Sequence, residues 1–110
     1  KRIISCDSGS KEVDVSKIIY IESSGHKVTY HIHGKEFGDY VVKSKLDDIE
    51  NELKEYKYLL RVHQSYIVNM MYVNNISSYR VYLKNGIDLG VPKSRYKEVK
   101  KRILEFKENN

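Results

Sequence analysis

Three polar clusters carry the side chains best suited to chemistry: His26-Lys27, the run Arg61-Val62-His63-Gln64-Ser65, and Lys93-Ser94-Arg95. Lys and Arg neutralise phosphates. Forked guanidinium and amide groups match base edges, and His can donate or accept. Each cluster lies at the end of a strand-like segment. If those ends meet on one edge, the loops could enter successive grooves of a nucleic-acid duplex. Residue order alone leaves open whether they meet, and Arg61 and His63 read equally well as surface residues with Asn69 as a helix cap.

Other chemistry finds less support. His31 and His33 stand two apart on a strand, a spacing that metal ligands can use. No further Cys, His or acidic residue stands where it would complete a site, so surface histidines are the simpler reading. Gly-x-Ser-x-Gly, Gly-rich phosphate loops and paired-carboxylate patterns do not occur, and no enzymatic activity or cofactor is expected. Ten tyrosines could stack on single-stranded bases. Tyr20, Tyr30, Tyr66, Tyr79 and Tyr96, however, fall on apolar faces, where core packing accounts for them.

A length of 110 residues with 40% hydrophobic content suits one domain, 1–110, built on one core. No apolar run reaches the roughly 18 residues of a membrane span. Cys6 is the only cysteine, so no intrachain disulfide forms, and a cytoplasmic location is expected. The start at Lys1-Arg2-Ile3 runs straight into strand-like sequence, as in a fragment of a longer protein. The net charge of +5 permits an anionic partner. Its layout is dipolar: Asp47, Asp48, Glu50, Glu52 and Glu55 stand against Lys54, whereas 93–107 holds seven cations against Glu98 and Glu105.

The elements that must position these clusters follow from periodicity. The β-branched and aromatic residues of 13–21 are strand-prone, and Val28, Tyr30 and Ile32 alternate with polar residues as in a half-buried strand. Gly34-Lys35 suits a two-residue turn that sets Ile32 beside Phe37, followed by a strand from Glu36 to about Val42 with Gly38 at a bulge. Ser44 caps a helix at about 45–55. Leu60 and Val62 alternate with Arg61 and His63, which places the latter two on one solvent-facing side. The chain turns at Gln64-Ser65, and Tyr66-Ile67-Val68 is covered on both faces. Asn69 caps a short turn, and Asn74, Asn75, Ser77 and Ser78 are turn residues around Ile76. Tyr79 to Val91 forms a hairpin. Face parity selects a three-residue loop, Lys84-Asn85-Gly86, pairing Leu83 with Ile87 and Val81 with Leu89. Tyr96, Val99, Ile103 and Phe106 form one stripe of a terminal helix at about 94–107. The fold class is mainly β with minor α: short strands in small packed sheets and two helices.

The run Arg61 to Asn69 resembles the signature of the LytTR DNA-binding domain, roughly Arg-x-His-x-Ser, apolar residues, then Asn. Ile18 to Ser24, Ile76, the Asn85-Gly86 hairpin and Val91-Pro92-Lys93-Ser94-Arg95-Tyr96 resemble the family's other segments in order. The resemblance implies the output domain of a bacterial response regulator, a transcription regulator whose loops enter successive major grooves of direct-repeat double-stranded DNA. It also implies a receiver domain in the full chain and a possible dimer on DNA. Base contacts would fall on His26, Gln64 and Arg95, with Ser94 the alternative for the third. Backbone contacts would fall on Lys27, Arg61, Ser65, Lys93 and Ser94. His63 and Asn69 would hold shape. Two rival readings are a single-strand or RNA-binding β-barrel module, motivated by the tyrosines and basic charge, and a protein-interaction domain docking through the basic terminal helix.

Overall fold

The computed structural model describes residues 1–35 and 40–109. The chain opens with a hairpin of β1 (Arg2–Cys6) and β2 (Gly9–Val13). A single 3-10 turn, Val15–Lys17, leads into β3 (Ile18–Ser24), β4 (Lys27–Ile32) and β5 (Val41–Lys43). Helix α1 (Leu46–Glu52) precedes β6 (Leu59–His63) and β7 (Tyr66–Asn69). A second 3-10 turn, Met70–Tyr72, leads to β8 (Val73–Ser77), β9 (Arg80–Leu83), β10 (Asp88–Gly90) and α2 (Lys93–Glu108).

Five strands make the central sheet in the order β5-β4-β3-β7-β6, all neighbours antiparallel. Both its faces are covered, so the expected single core is divided in two. On one face Ile18, Ile21, Val28, Tyr30 and Ile67 pack with Val13 and with Leu46, Ile49 and Leu53 from α1 and its end. On the other, Ile19, Tyr20, Val62 and Val68 pack against Val73, Ile76, Val81 and Leu83 of the β10-β9-β8 sheet and Val99 and Ile103 of α2. This two-sided cover explains why Ile18 to Ile21 and Ile67-Val68 are continuous apolar runs rather than alternating ones. A register slip between Ile18 and Tyr20 sends Ile18 and Ile21 into one core and Ile19 and Tyr20 into the other.

The β9–β10 hairpin has the expected loop. The Leu83 amide donates to the Ile87 carbonyl at 2.8 Å, Leu89 pairs with Val81, and Gly86 takes φ 88°, a conformation glycine adopts without steric cost. Ile87, expected on the apolar face, is 40% exposed. Helix α2 lies within one residue of the expected bounds.

Several expectations are corrected. Lys45, not Ser44, occupies the N-cap of α1: the Ser44 hydroxyl donates to the Lys45 carbonyl at 3.4 Å rather than accepting a helix amide; the helix is also shorter, ending at Glu52. The turn after β4 is one residue earlier than expected: the Lys35 amide donates to the Ile32 carbonyl, with Gly34 third in the turn at φ 79°, as a type II turn requires. The expected strand start at Glu36, the Gly38 bulge and the Ile32–Phe37 pairing lie outside the described residues. Asn74 to Ser77 belong to β8 rather than a turn, since Val73 and Ile76 bury into the second core while Asn74 and Asn75 stay exposed. Tyr79 is not a core residue. It sits in the β8–β9 turn at φ 62°, is 46% exposed, and lies against the Tyr96 ring at 4.4 Å.

Candidate nucleic-acid interface

Two hairpin turns meet at one end of the central sheet. Gly25, at φ 61°, closes the β3–β4 turn and leaves His26 and Lys27 exposed. Gln64 and Ser65 form the β6–β7 turn, with Gln64 exposed. Because β3 and β7 are neighbours with Glu22 opposite Tyr66, the turns lie side by side, and the Ser23 amide donates to the Ser65 carbonyl at 2.9 Å. The Ser44 amide donates to the His26 carbonyl at 3.2 Å, which adds the entry to α1 to the same edge. Ser23, Gly25, Ser44, Lys45, Gln64 and Ser65 line a shallow groove between the turns.

The local chemistry of the second turn comes from its own strand ends. His63 Nδ1 accepts the Ser65 amide at 2.9 Å, and the His63 ring lies 5.0 Å from that of Tyr66. Asn69 is fully buried. Its Nδ2 donates to the carbonyls of Ile18 (2.8 Å) and Ser16 (3.1 Å), and its Oδ1 accepts the Met71 amide at 2.9 Å. One side chain thus caps the 3-10 turn after β7 and ties it to the start of β3.

Arg61 does not share a solvent face with His63. Register slips between the two, and the Arg61 side chain, 9% exposed, lies over α1. Its Nη1 donates to Asp47 (2.9 Å) and Glu50 (2.8 Å), its Nε to the His63 carbonyl (2.8 Å) and its Nη2 to the Gln64 carbonyl. Asp47 and Glu50, read from sequence as a solvated acidic face, do stay exposed and are at the same time its partners.

Lys93, Ser94 and Arg95 are exposed in the first turn of α2. Arg95 lines a groove with Glu50, Leu60, Arg61 and Arg102, which sets this third segment beside β6 and α1; Gln64 and Ser65 do not line that groove. Neither Lys93 nor Ser94 lines that groove. Register also supplies a cation that the sequence reading did not single out. Lys43 of β5 stands directly opposite Lys27 of β4, and both are exposed. Like charges directly opposite on a sheet repel, which a phosphate between them would relieve. Lys27 also has an exposed ion pair with Asp7 at 3.5 Å, of a kind that contributes little.

Beneath the edge, His31 Nε2 and Glu22 Oε1 are 2.6 Å apart, and the His31 ring stacks on Tyr20 at 4.1 Å. Burial, helped by the nearby Glu22 carboxylate, pushes the Tyr20 hydroxyl up to about 12. His33 lies in the turn after β4, close to Tyr72, so the two histidines do not act as a pair. Among the described residues no three His, Cys, Asp or Glu side chains gather as metal ligands.

Antiparallel strands in small sheets, a central sheet covered on both faces and polar turns collected at its end define a mainly β domain. Residues 8–104 match the family model described as the LytTr DNA-binding domain, and the chain belongs to that family. It is 33% identical over 97 residues to the sensory transduction protein LytT of Bacillus subtilis (strain 168), a match covering 83% of this chain and 38% of LytT. It therefore spans well under half the length of that relative. Its fold is similar to that of a solved LytTr DNA-binding domain from Bacillus cereus, with a TM-score of 0.71 at 21% identity and 94% of each chain covered. A closed barrel is not what the described strands form: they make three separate sheets, and Tyr20 and Tyr30 are buried in the cores.

Proposed function

We propose that this domain reads sequence in double-stranded DNA as the output domain of a bacterial response regulator. The observation that carries this reading is the joining of the β3–β4 and β6–β7 turns at one sheet end through the Ser23–Ser65 bond. Two exposed polar turns on a rigid base fit a groove edge, and Arg95, in the first turn of α2, shares a groove with Arg61 of β6. His26, Gln64 and Arg95 contact bases in successive major grooves, with Ser94 the alternative third contact. Lys27, Ser65, Lys93 and Ser94 contact the backbone, and Lys43 joins them through its place opposite Lys27.

A receiver domain elsewhere in the full-length chain governs the output, and the sites are direct repeats on which two copies can sit. No cofactor takes part and no reaction is catalysed. Selection of bound sites from a random duplex pool, followed by gel shifts with the selected duplex and its separated strands, tests the reading. A recovered motif repeated at a fixed spacing and a preference for duplex are expected. Preference for the single strands would overturn it in favour of a single-strand binder, and weak, sequence-independent binding to every nucleic acid in favour of a protein-interaction domain.

A further inference from the structure

We infer that Arg61 is a positioning residue for recognition, not a phosphate contact: it clamps the β6–β7 turn to α1 and so aims Gln64. This inference rests on the DNA-reading role of Gln64 proposed above. The guanidinium has a fixed planar fork of five N–H donors, and it divides them between two elements. Two bonds go to the backbone carbonyls of consecutive turn residues, His63 and Gln64, and two to the carboxylates of Asp47 and Glu50, one helical turn apart on α1.

Charge argues the same way as geometry. One cation facing two carboxylates leaves the cluster with no positive charge to offer a phosphate. With the side chain only 9% exposed, the guanidinium would have to break internal, charge-assisted bonds to reach the DNA backbone. The acidic face of α1 thereby acquires a role. Asp47 and Glu50 anchor the far side of the fork, while the near side fixes the carbonyls on either side of the peptide that carries Gln64. A base contact depends on angle as well as distance, so a loosened turn costs discrimination before it costs general affinity.

Arg61→Lys is the informative substitution, since it keeps the charge and cannot bridge all four acceptors. Affinities for a duplex selected from a random pool and for a scrambled duplex of equal length are compared, and amide exchange of Ser65 is measured in the free protein. The expected result is a roughly tenfold fall in the selected-to-scrambled affinity ratio, with scrambled-duplex binding and the salt slope retained. Faster exchange at Ser65 should accompany it. In the Arg61→Lys/Gln64→Ala double variant the ratio should be no worse than in Gln64→Ala alone. Asp47→Asn/Glu50→Gln, which leaves Arg61 in place, should lower the ratio in the same direction. An unchanged ratio and unchanged Ser65 exchange in Arg61→Lys would overturn the inference, as would a loss that adds to that of Gln64→Ala. A wild-type domain that binds both duplexes equally overturns the DNA reading and this role with it. The exchange measurement made without DNA then separately decides whether the clamp itself exists.

Discussion

Asn69 donates from its buried amide to the carbonyl of Ile18 across 51 residues of sequence at 2.8 Å, joining the end of β7 to the start of β3. The same side chain serves the Ser16 carbonyl and the Met71 amide. Its replacement takes this partner from the buried Ile18 carbonyl and from the part-buried Ser16 carbonyl and Met71 amide. Asn69→Ala should therefore destabilise the domain by about 2–4 kcal/mol, combining a lost cap with orphaned carbonyls. Urea unfolding should show a lower midpoint at an unchanged slope, and the fraction that remains folded should retain its DNA sequence preference.

Gln64 is exposed at the tip of the β6–β7 turn, and only its backbone carbonyl is held by Arg61. Gln64→Ala should reduce affinity for a selected duplex by about 1–3 kcal/mol and leave random-duplex binding nearly unchanged. Titrations on the two duplexes check this, and an equal loss on both would remove Gln64 from base reading.

Lys93 and Lys43 sit in different elements and are both exposed. Lys93→Ala and Lys43→Ala should each weaken selected and random duplexes alike and flatten the salt dependence by about one unit. Their effects should add, because separated contacts without shared partners are independent. Salt titrations of the single and double variants decide the point for each lysine.

Tyr20 is raised to about 12 by burial, and burial also raises the Tyr30 hydroxyl well above its ordinary range. A folded pKa above the unfolded value of about 10 means that the unfolded chain releases its proton first. The stabilisation is therefore fully present below about pH 10 and is lost as pH rises toward 12. Urea midpoints should be flat through the neutral range and fall above pH 10. Tyr20→Phe should blunt the fall.

Much of the fold follows from local pattern. The Lys84-Asn85-Gly86 loop was fixed by face parity, since only one loop length keeps Leu83 and Leu89 together, and the stripe of Tyr96, Val99, Ile103 and Phe106 set α2 to within a residue. Where the pattern misled, a long-range partner intervened. Ser44 stands one residue before the N-cap, its amide tied to the His26 carbonyl, and Asn74-Asn75 became strand because β9 supplies their neighbours.

By itself the sequence determined the family signature, the mainly β class and the clusters His26-Lys27, Arg61 to Ser65 and Lys93 to Arg95. Only the tertiary structure decided what the members of those clusters do. Alternation places Arg61 with His63, but the register slip between them separates the two, and carboxylates 11 and 14 residues away capture the guanidinium. Periodicity reports which face a residue occupies on an ideal strand. A hydrogen bond is formed only when donor and acceptor come within about 3 Å in line, and that proximity arises from packing between distant segments.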